Sequence, residues 1–495
     1  MQRKNKEFAR NVVIVSLGPI IISILGFFLE PWIARLWSPE IIGIGAYFNS
    51  LLQILTPAMF LRYNFAIVQA ETDEEAHNLF FLSLIIFFIF MLAIIIFYND
   101  LGRLFPENQI LIKYRFFVIT ALFMGALCVL LRFWCSSQKQ FRFLSFSAIL
   151  FQVSYTGLLL VFGVNDKTSA DDIIHIQAIA YYIYPLVPLV YYLRKSFSKA
   201  IKSISWKGIL DVAKKYKQYP LNEYLGFLAS IVAFNIPVLL IAKYWGKEIT
   251  GLYSKSFFIL YMFVTLVGDS INRVLHKEIA DMVNAQEEIR GFIDKILNLT
   301  ISISIIPFVI VCVLGPELFG LFLGERWTLS GVFAQSLSIW CFANLINLAF
   351  LPLYGVLNRQ KEYTRFTVTS LFLRVLILSY FGRRQMNIVL AMLIFSLVNF
   401  IILMWQSLHI ISIAGVNAVG TLKFIGNKLL QLSPWIITML LIKHFSNFSS
   451  FLIVIISIIT ISPYFIYILH KNKESIKSFL AGKLNIIRLM DINKL

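Results

Sequence analysis

The chain has 495 residues, of which 59% are hydrophobic and 14% are charged. Ordinary soluble domains contain about 45–50% apolar and about 25% charged residues, and their surfaces cannot accommodate so much Ile, Leu and Phe. The mean hydropathy is +0.78, and apolar stretches long enough to cross a bilayer recur along the whole chain. These features exclude a soluble protein and predict an all-α polytopic membrane protein.

The chain is strongly basic, with 44 Lys and Arg residues against 26 Asp and Glu residues. Because these charges lie in short loops between apolar spans, they indicate membrane topology, and we expect no nucleic-acid partner. The cysteines are not paired in any metal or redox motif, and the six histidines are scattered. We therefore predict neither a metal site nor a cofactor.

About fourteen membrane spans are predicted. They lie at 11–34, 41–67, 78–98, 112–133, 142–164, 172–193, 221–243, 249–275, 293–314, 330–357, 363–382, 386–413, 427–445 and 450–469. With this count, 30 of the 44 Lys and Arg residues fall on the side that holds both termini. The positive-inside rule then predicts a multi-pass membrane protein with both termini in the cytoplasm.

A long internal repeat divides the chain. Residues 34–44 match residues 242–252 at an offset of 208, with Ala, Trp, Glu, Ile and Gly in common. A weaker match joins 138–141 to 360–363 at an offset of 222. Repeated halves of the same orientation are typical of transporters that bind substrate between the halves.

The repeat predicts four segments. Two pseudo-symmetric six-helix bundles occupy 1–195 and 221–413, and a basic cytoplasmic linker joins them at 196–220. Two extra helices and a basic tail complete the chain at 414–495. Prolines strengthen the prediction, because Pro31 and Pro237 interrupt nearly equivalent spans of the two halves, and such interruptions indicate a transport site.

Three stretches near the N-terminus carry a family resemblance, at 38–47 (SPEIIGIGAY), 61–68 (LRYNFAIV) and 71–76 (ETDEEA). They resemble the polysaccharide repeat-unit flippases of the multidrug/oligosaccharidyl-lipid/polysaccharide exporter superfamily. The resemblance implies two bundles around a central cavity. It also implies a substrate, an undecaprenyl-pyrophosphate-linked oligosaccharide for O-antigen or another surface polysaccharide, flipped from the cytoplasmic to the periplasmic leaflet. Relatives that flip the peptidoglycan precursor use cations where this chain has Leu29 and Glu30, which argues against that substrate.

Ionisable residues inside spans are the candidates for substrate binding and gating, because charge within a membrane is costly and usually functional. Arg62 lies in the second predicted span, and the 208-residue offset maps it to position 270 of the eighth, beside Asp269. We predict that Arg62 and Asp269 latch the cytoplasmic side. Asn272 and Arg273 share the helical face of Asp269 and are further substrate contacts.

Lys255 and Arg374 are the other predicted contacts for pyrophosphate or sugar, and each has an alternative reading. Lys255 lies near the outer end of the eighth span, where a lysine also suits the interface. Arg374 is in the middle of the eleventh span and also suits a buried ion pair. Glu30, beside Pro31, is a candidate for ion coupling or for a residue at the periplasmic interface.

Other function classes are less well supported. No ATP-binding loop of the G-x-x-x-x-G-K-[ST] type is present. No cluster of catalytic residues stands out, and the outer loops are too short for a polysaccharide polymerase, so we predict a transporter and not an enzyme. An ion-coupled multidrug exporter of the same superfamily is the main alternative. Membrane lipid, a polymerase and a chain-length regulator are the expected partners.

Overall fold

The computed structural model describes residues 22, 24–100, 112–164, 168–445 and 448–473. Within these ranges all regular secondary structure is helical. The main helices are α1 (24–36), α2 (Pro39–Ala58), α3 (Asp73–Ile96), α4 (Arg115–Ser137), α5 (Phe141–Gly163), α6 (Ala170–Lys195), α7 (Trp206–Lys215), α8 (224–245), α9 (247–284), α10 (Arg290–Leu323), α11 (Thr328–Phe350), α12 (Gln360–Arg383), α13 (Ile388–Ile413), α14 (Ala418–Phe445) and α15 (Ser450–Lys471).

Twelve helices in the described ranges are long and apolar enough to cross a membrane. One of them, Tyr219–Asn284, contains two predicted spans, because Gly246 (φ 87°, ψ 179°) breaks the helix between α8 and α9. The first predicted span, 11–34, lies largely outside the described residues. The all-helical membrane fold is thus confirmed, and the total of fourteen spans stays a prediction.

The sequence starts several helices with side-chain caps. Ser38 caps α2 and is followed by proline, which favours the first helical position. Thr72 accepts a hydrogen bond from the backbone N–H of Glu75 at 3.2 Å at the start of α3. Ser169 and Asp172 form a reciprocal capping box before α6. These caps satisfy N–H groups that a helix leaves without intrahelical partners.

The chain divides into two compact units, Met1–Gly251 and Leu252–Leu495. In the first unit, α2 packs against α4 and α6. In the second unit, α10 packs against α11, and α11 packs against α13. The predicted boundaries at 195, 220 and 413 stay predictions.

The long repeat coincides with a helix crossing inside the first unit. A Cβ atom on Gly43 would lie 1.9 Å from the carbonyl oxygen of Lys247, and one on Gly251 would lie 1.8 Å from that of Pro39. The 208-residue offset pairs Gly43 with Gly251 and Pro39 with Lys247. The repeated sequence therefore builds both sides of one reciprocal contact.

The two segments of the shorter repeat lie beside turns of the same backbone conformation. Lys139 (φ 55°) and Asn358 (φ 57°) both adopt left-handed backbone in the turns that precede α5 and α12. Identical backbone hydrogen bonds surround them, Gln140 N–H to Cys135 O at 2.8 Å and Arg359 N–H to Tyr354 O at 2.7 Å. These turns are 219 residues apart, and the same turn also ends helices at Gln286 and Gln385, so the repeat at an offset of 222 stays a prediction.

Candidate functional site

Arg374 lies at the centre of a buried polar and aromatic cluster in the second unit. Its side chain on α12 is 7% exposed. The Nε–H group donates a 2.7 Å hydrogen bond to Oδ1 of Asn399 on α13. The guanidinium carbon lies 4.9 Å from the ring centre of Trp340 on α11, within cation–π range. Three helices thus position one cation in the interior of the bundle.

Local contacts fix the two partners of Arg374. The Nδ2 group of Asn399 donates 2.7 Å to the carbonyl of Phe395, one turn earlier on α13, which directs Oδ1 towards the arginine. Trp340 stacks on Phe257 with ring centres 5.0 Å apart and meets Phe395 edge-on at 5.3 Å. Since buried charge is costly without polar or aromatic contacts, this arrangement makes Arg374 tolerable inside an apolar bundle.

Lys255 is buried on α9, with 7% of its surface exposed. Its ammonium nitrogen lies 5.9 Å from the ring centre of Trp327, which precedes α11. The neighbouring serines join the same helices. The Ser256 hydroxyl donates a 2.6 Å hydrogen bond to the carbonyl of Ser330, and the Ser330 hydroxyl donates a 2.9 Å hydrogen bond to the carbonyl of Leu252. This reciprocal pair fixes the rotation of α9 that directs Lys255 towards Trp327.

The other predicted residues of α9 have different environments. Asn272 donates 2.7 Å to the carbonyl of Leu348 on α11, and so joins two helices. Arg273 is exposed, and its Nε–H group donates 3.2 Å to the backbone carbonyl of Asp269. The side chain of Asp269 is partly exposed. The three residues are neighbours on α9, as their spacing predicts.

Arg62 requires a correction, because it does not lie in a membrane-spanning helix. Helix α2 ends at Ala58, and Arg62 (φ 71°) follows in a tight left-handed turn. Its guanidinium carbon lies 4.3 Å from the ring centres of both Phe65 and Phe227, and Nη2 lies 3.7 Å from a carboxylate oxygen of Glu223. All of these contacts lie within the first unit. The predicted pairing of Arg62 with Asp269 stays a prediction.

The prolines do not interrupt their helices. Helical backbone continues over 24–36 through Pro31. It also continues through Pro237, and the break in that long helix comes nine residues later at Gly246. Membrane helices tolerate proline when neighbouring groups satisfy the freed carbonyl. Glu30, on the turn that contains Pro31, is 5% exposed. The coupling and gating roles of these residues stay predictions.

The acidic stretch that supported the family resemblance anchors the basic linker. Lys215, at the end of α7, lies 3.1 Å from Glu71 Oε2 and 2.7 Å from Glu75 Oε1. The Tyr216 hydroxyl donates 3.1 Å to Glu75 Oε2. Hydrogen bonds to Glu75 and Glu71 raise the pKa of Lys215 above its ordinary value. The acidic residues therefore have a structural partner that the sequence did not identify.

Sequence reasoning also missed Asn399 and Trp340, the two partners of Arg374. The sequence contained one indication of the Asn399 contact, because Asn399 lies in the span that follows the span of Arg374. The sequence contained no indication of the Trp340 contact, because nine tryptophans are spread along the chain. Within the part of the chain that the structure describes, no three His, Cys, Asp or Glu side chains are grouped closely enough to hold a metal ion.

Comparison with solved structures identifies the fold. The lipid II flippase MurJ in its inward closed conformation superimposes with a TM-score of 0.67 at 12% identity, covering 94% of this chain and 100% of that chain. An outward-facing multidrug resistance MATE family transporter of the MOP superfamily gives a TM-score of 0.54 at 12% identity, covering 83% and 96%. At this identity the likeness concerns the fold alone, and the chain has a helical fold similar to those of MurJ and this MATE transporter.

Comparison of sequences identifies the family. No curated protein matches the chain. Residues 32–331 match the family described as polysaccharide biosynthesis protein. This segment is more than half of the chain and includes the three stretches that carry the resemblance, the basic linker and Lys255. The chain therefore belongs to the polysaccharide biosynthesis protein family.

Proposed function

We propose that this protein moves undecaprenyl-pyrophosphate-linked oligosaccharide repeat units from the cytoplasmic to the periplasmic leaflet of the bacterial inner membrane. Transport by alternating access supplies repeat units for O-antigen or another surface polysaccharide. The observation that carries the proposal is the match of residues 32–331 to the polysaccharide biosynthesis protein family, in a chain with a MOP-like transporter fold. We place both termini in the cytoplasm, from the distribution of Lys and Arg.

The physical task of such a protein is to carry two phosphates and many hydroxyls past hydrocarbon. Each unsatisfied polar group in that environment costs several kcal/mol. We propose Lys255 as the main phosphate contact, because an ammonium ion serves as a compact point charge for phosphate. Arg374, Asn272 and Arg273 are proposed as further contacts. The apolar isoprenoid tail needs no polar partner and stays in lipid.

A residue test follows for Lys255. Lys255→Ala is expected to abolish or strongly reduce transport, whereas Lys277→Ala, which removes an exposed lysine from the same helix, is expected to leave transport unchanged. Both variants are compared at equal abundance in the membrane. Equal transport by the two variants would remove Lys255 from the proposed site.

We also propose that Arg62 and Asp269 latch the cytoplasmic side, with Glu30, Pro31 and Pro237 serving coupling or gating. The test is a charge exchange. Arg62→Asp and Asp269→Arg are each expected to reduce transport, and the double variant is expected to restore part of it. A double variant no better than either single variant contradicts the latch. Arg62→Asp also disturbs the contact with Glu223. Restoration of transport is therefore judged by comparing the double variant with Asp269→Arg alone.

The whole function is tested in a strain that lacks this gene. Isoprenoid-pyrophosphate glycolipids are extracted, and an impermeant probe is applied to intact spheroplasts. We expect a complete repeat unit to accumulate out of reach of the probe. Accumulation within reach would place the protein at a later step, such as polymerisation. Sensitivity to drugs without glycolipid accumulation would favour a multidrug exporter, the alternative suggested by the fold of the MATE transporters.

We propose no catalytic step for this protein. A polysaccharide polymerase and a chain-length regulator are proposed as partners, because a repeat unit delivered to the outer leaflet is the substrate of chain assembly. Crosslinking in intact cells, followed by identification of the bound proteins, tests this association.

A further inference from the structure

The last two helices of the chain contain no carboxylate of their own. Residues 363–473 include no aspartate or glutamate, although they include several lysines and arginines. Lys443, near the end of α14, obtains its counter-charge from another helix. Its ammonium lies 3.0 Å from Oε1 of Glu317 on α10 and donates 3.0 Å to the carbonyl of Val313.

Lys428, fifteen residues earlier on α14, has no such partner. It lies in the buried stripe of the helix between Ile425 and Leu432 and is 6% exposed. Its ammonium nitrogen is 5.4 Å from the ring centre of Phe424. Among the described residues, no hydrogen bond or ion pair joins Lys428 to another side chain. Lys443 and Lys428 thus differ, since Lys443 has a carboxylate partner and Lys428 has none among the residues that the structure describes.

A second cation approaches Lys428 from α15. The two helices run antiparallel and are joined by a hydrogen bond from the Tyr464 hydroxyl to Gln431 at 3.2 Å. Gln431 is three residues after Lys428 on α14, and Lys471 is seven residues after Tyr464 on α15, so both lysines lie beyond this bond at the same end of the pair. The antiparallel register set by that bond places Lys428 opposite Tyr467, one helical turn before Lys471.

The position of the pair matches a membrane interface. Helix α15 has 22 residues and is therefore about 33 Å long, close to the hydrocarbon thickness of about 30 Å. A helix of this length that crosses the bilayer places Lys471, its last residue, at the level of the headgroups. Lys428 is 6% exposed as a whole residue, so its aliphatic stem packs within the helix pair while its ammonium extends towards the interface. At this depth an anionic lipid headgroup can neutralise both cations.

The surface beside the pair suits acyl chains. Leu430 on α14 is 70% exposed and Ile466 on α15 is 63% exposed, as expected for side chains that contact hydrocarbon. A lipid lying along these helices places its phosphate at the interface and its chains against the apolar surface. We propose that Lys428 and Lys471 bind the phosphate of an anionic membrane lipid. This site does not depend on the proposed function.

The test measures lipid retained by the full-length protein. Wild-type protein and the variant Lys428→Gln/Lys471→Gln are purified in detergent and titrated with phosphatidylglycerol, undecaprenyl phosphate or zwitterionic phosphatidylcholine. Bound lipid is counted by native mass spectrometry. We expect the double variant to bind the anionic lipid about 30-fold more weakly, the ratio for two lysine–headgroup contacts. Binding of phosphatidylcholine is expected to be unchanged.

Matched variants make the result specific. Lys423→Gln/Lys473→Gln removes two exposed cations from the same segment and is expected to keep wild-type binding. Lys428→Arg/Lys471→Arg keeps both charges and is expected to keep most of the wild-type affinity for the anionic lipid. The melting temperature gives a second measurement. For each variant, the value with lipid is compared with the value without lipid.

The two anionic lipids distinguish the source of the phosphate. Lysine-dependent binding of phosphatidylglycerol identifies a bilayer phospholipid, and lysine-dependent binding of undecaprenyl phosphate alone identifies an isoprenoid carrier. Equal affinity of wild type and the double glutamine variant for both lipids would overturn the proposal. Transport assays are not used, so failure of the proposed function leaves the outcome unaffected.

Discussion

Gly43 and Gly251 meet where two helix backbones touch without intervening side chains. A Cβ atom on Gly43 would lie 2.8 Å from the amide nitrogen of Gly251, and a Cβ atom on Gly251 would lie 2.9 Å from that of Gly43. The contact is therefore symmetric, and each glycine makes room for the other backbone. Close approach of this kind is how small residues join membrane helices, because packing replaces the hydrophobic effect there.

Alanine at either glycine is expected to separate the helices. We expect Gly43→Ala and Gly251→Ala each to destabilise the protein by about 1–3 kcal/mol, the usual cost of overpacking. Thermal unfolding in detergent measures the change. Because one separation accommodates both methyl groups, the double variant is expected to lose less stability than the two single losses added together.

The matched control for the glycine contact is Gly157→Ala on α5, where a Cβ atom would meet no other atom within 4 Å. This variant is expected to unfold at or above the wild-type temperature, since alanine favours helix over glycine. Equal destabilisation at Gly43 and Gly157 would contradict the tight crossing.

The membrane helices could be predicted from the sequence because hydropathy is local to each helix. The predicted span at 112–133 corresponds to α4, which ends four residues later, and the span at 427–445 corresponds to α14, which begins nine residues earlier. The long repeat was also visible, because both sides of one contact kept the same glycine. Arg62 was misplaced, because the left-handed turn that ends α2 leaves the surrounding sequence apolar.

The surroundings of the charged residues could not be predicted in the same way. Asn399 and Trp340 contact Arg374 only because α11, α12 and α13 pack together. The partner of Lys443 is more than a hundred residues away on α10. Spacing along one helix identifies residues on a face, but it does not identify which helix packs against that face.

The ion pair between Lys443 and Glu317 is expected to hold α14 against α10. Both side chains are largely buried, at 28% and 14% exposure. Lys443→Met leaves the carboxylate without its partner, and we expect a loss of about 1.5–3 kcal/mol, the range for hydrogen bonds to charged groups. Unfolding temperature in detergent measures the effect, and Lys423→Met, which removes an exposed lysine of α14, is the control.

Removal of both charged groups distinguishes a buried ion pair from simple packing. Lys443→Met/Glu317→Leu is expected to recover much of the stability that Lys443→Met loses, because no buried charge is then left without a partner. A double variant that is less stable than Lys443→Met would show that the side chains stabilise the helix contact independently.

The linker contact at Lys215 is expected to depend on charge and salt. Lys215→Met removes both carboxylate contacts, so we expect faster proteolysis of the linker, whereas Lys214→Met on the exposed side of α7 keeps the wild-type rate. High salt is expected to reduce the difference, because exposed ion pairs are screened. Lys215→Arg, which keeps the charge, is expected to stay protected.

The pH dependence of the linker contact follows from the raised pKa of Lys215. A lysine whose pKa is higher in the folded protein stabilises it fully below the unfolded value of about 10.4. The stabilisation is lost as pH rises through the folded value. Protection of the linker is therefore expected to stay constant between neutral pH and about pH 9. A loss of protection in that interval that Lys215→Met abolishes would contradict this assignment.

Variants around Arg374 distinguish its contribution to stability from its contribution to transport. Asn399→Leu removes the acceptor of its 2.7 Å hydrogen bond, and we expect a loss of stability of about 1.5–3 kcal/mol. Asn399→Asp keeps an acceptor at that position and is expected to unfold close to the wild-type temperature. Trp340→Phe keeps an aromatic ring and is expected to lose less stability than Asn399→Leu, since cation–π contacts are weaker than charged hydrogen bonds.

The double variant Arg374→Met/Asn399→Leu removes the buried cation together with its acceptor. We expect it to be more stable than Asn399→Leu, because an apolar pair leaves no unsatisfied charge inside the bundle. If Arg374 contacts the phosphate or sugar of the substrate, this stable variant still fails to move glycolipid into reach of the impermeant probe. Wild-type transport by a stable double variant would instead show that Arg374 only joins α11, α12 and α13, and Lys255 would remain as the buried cation proposed to bind phosphate.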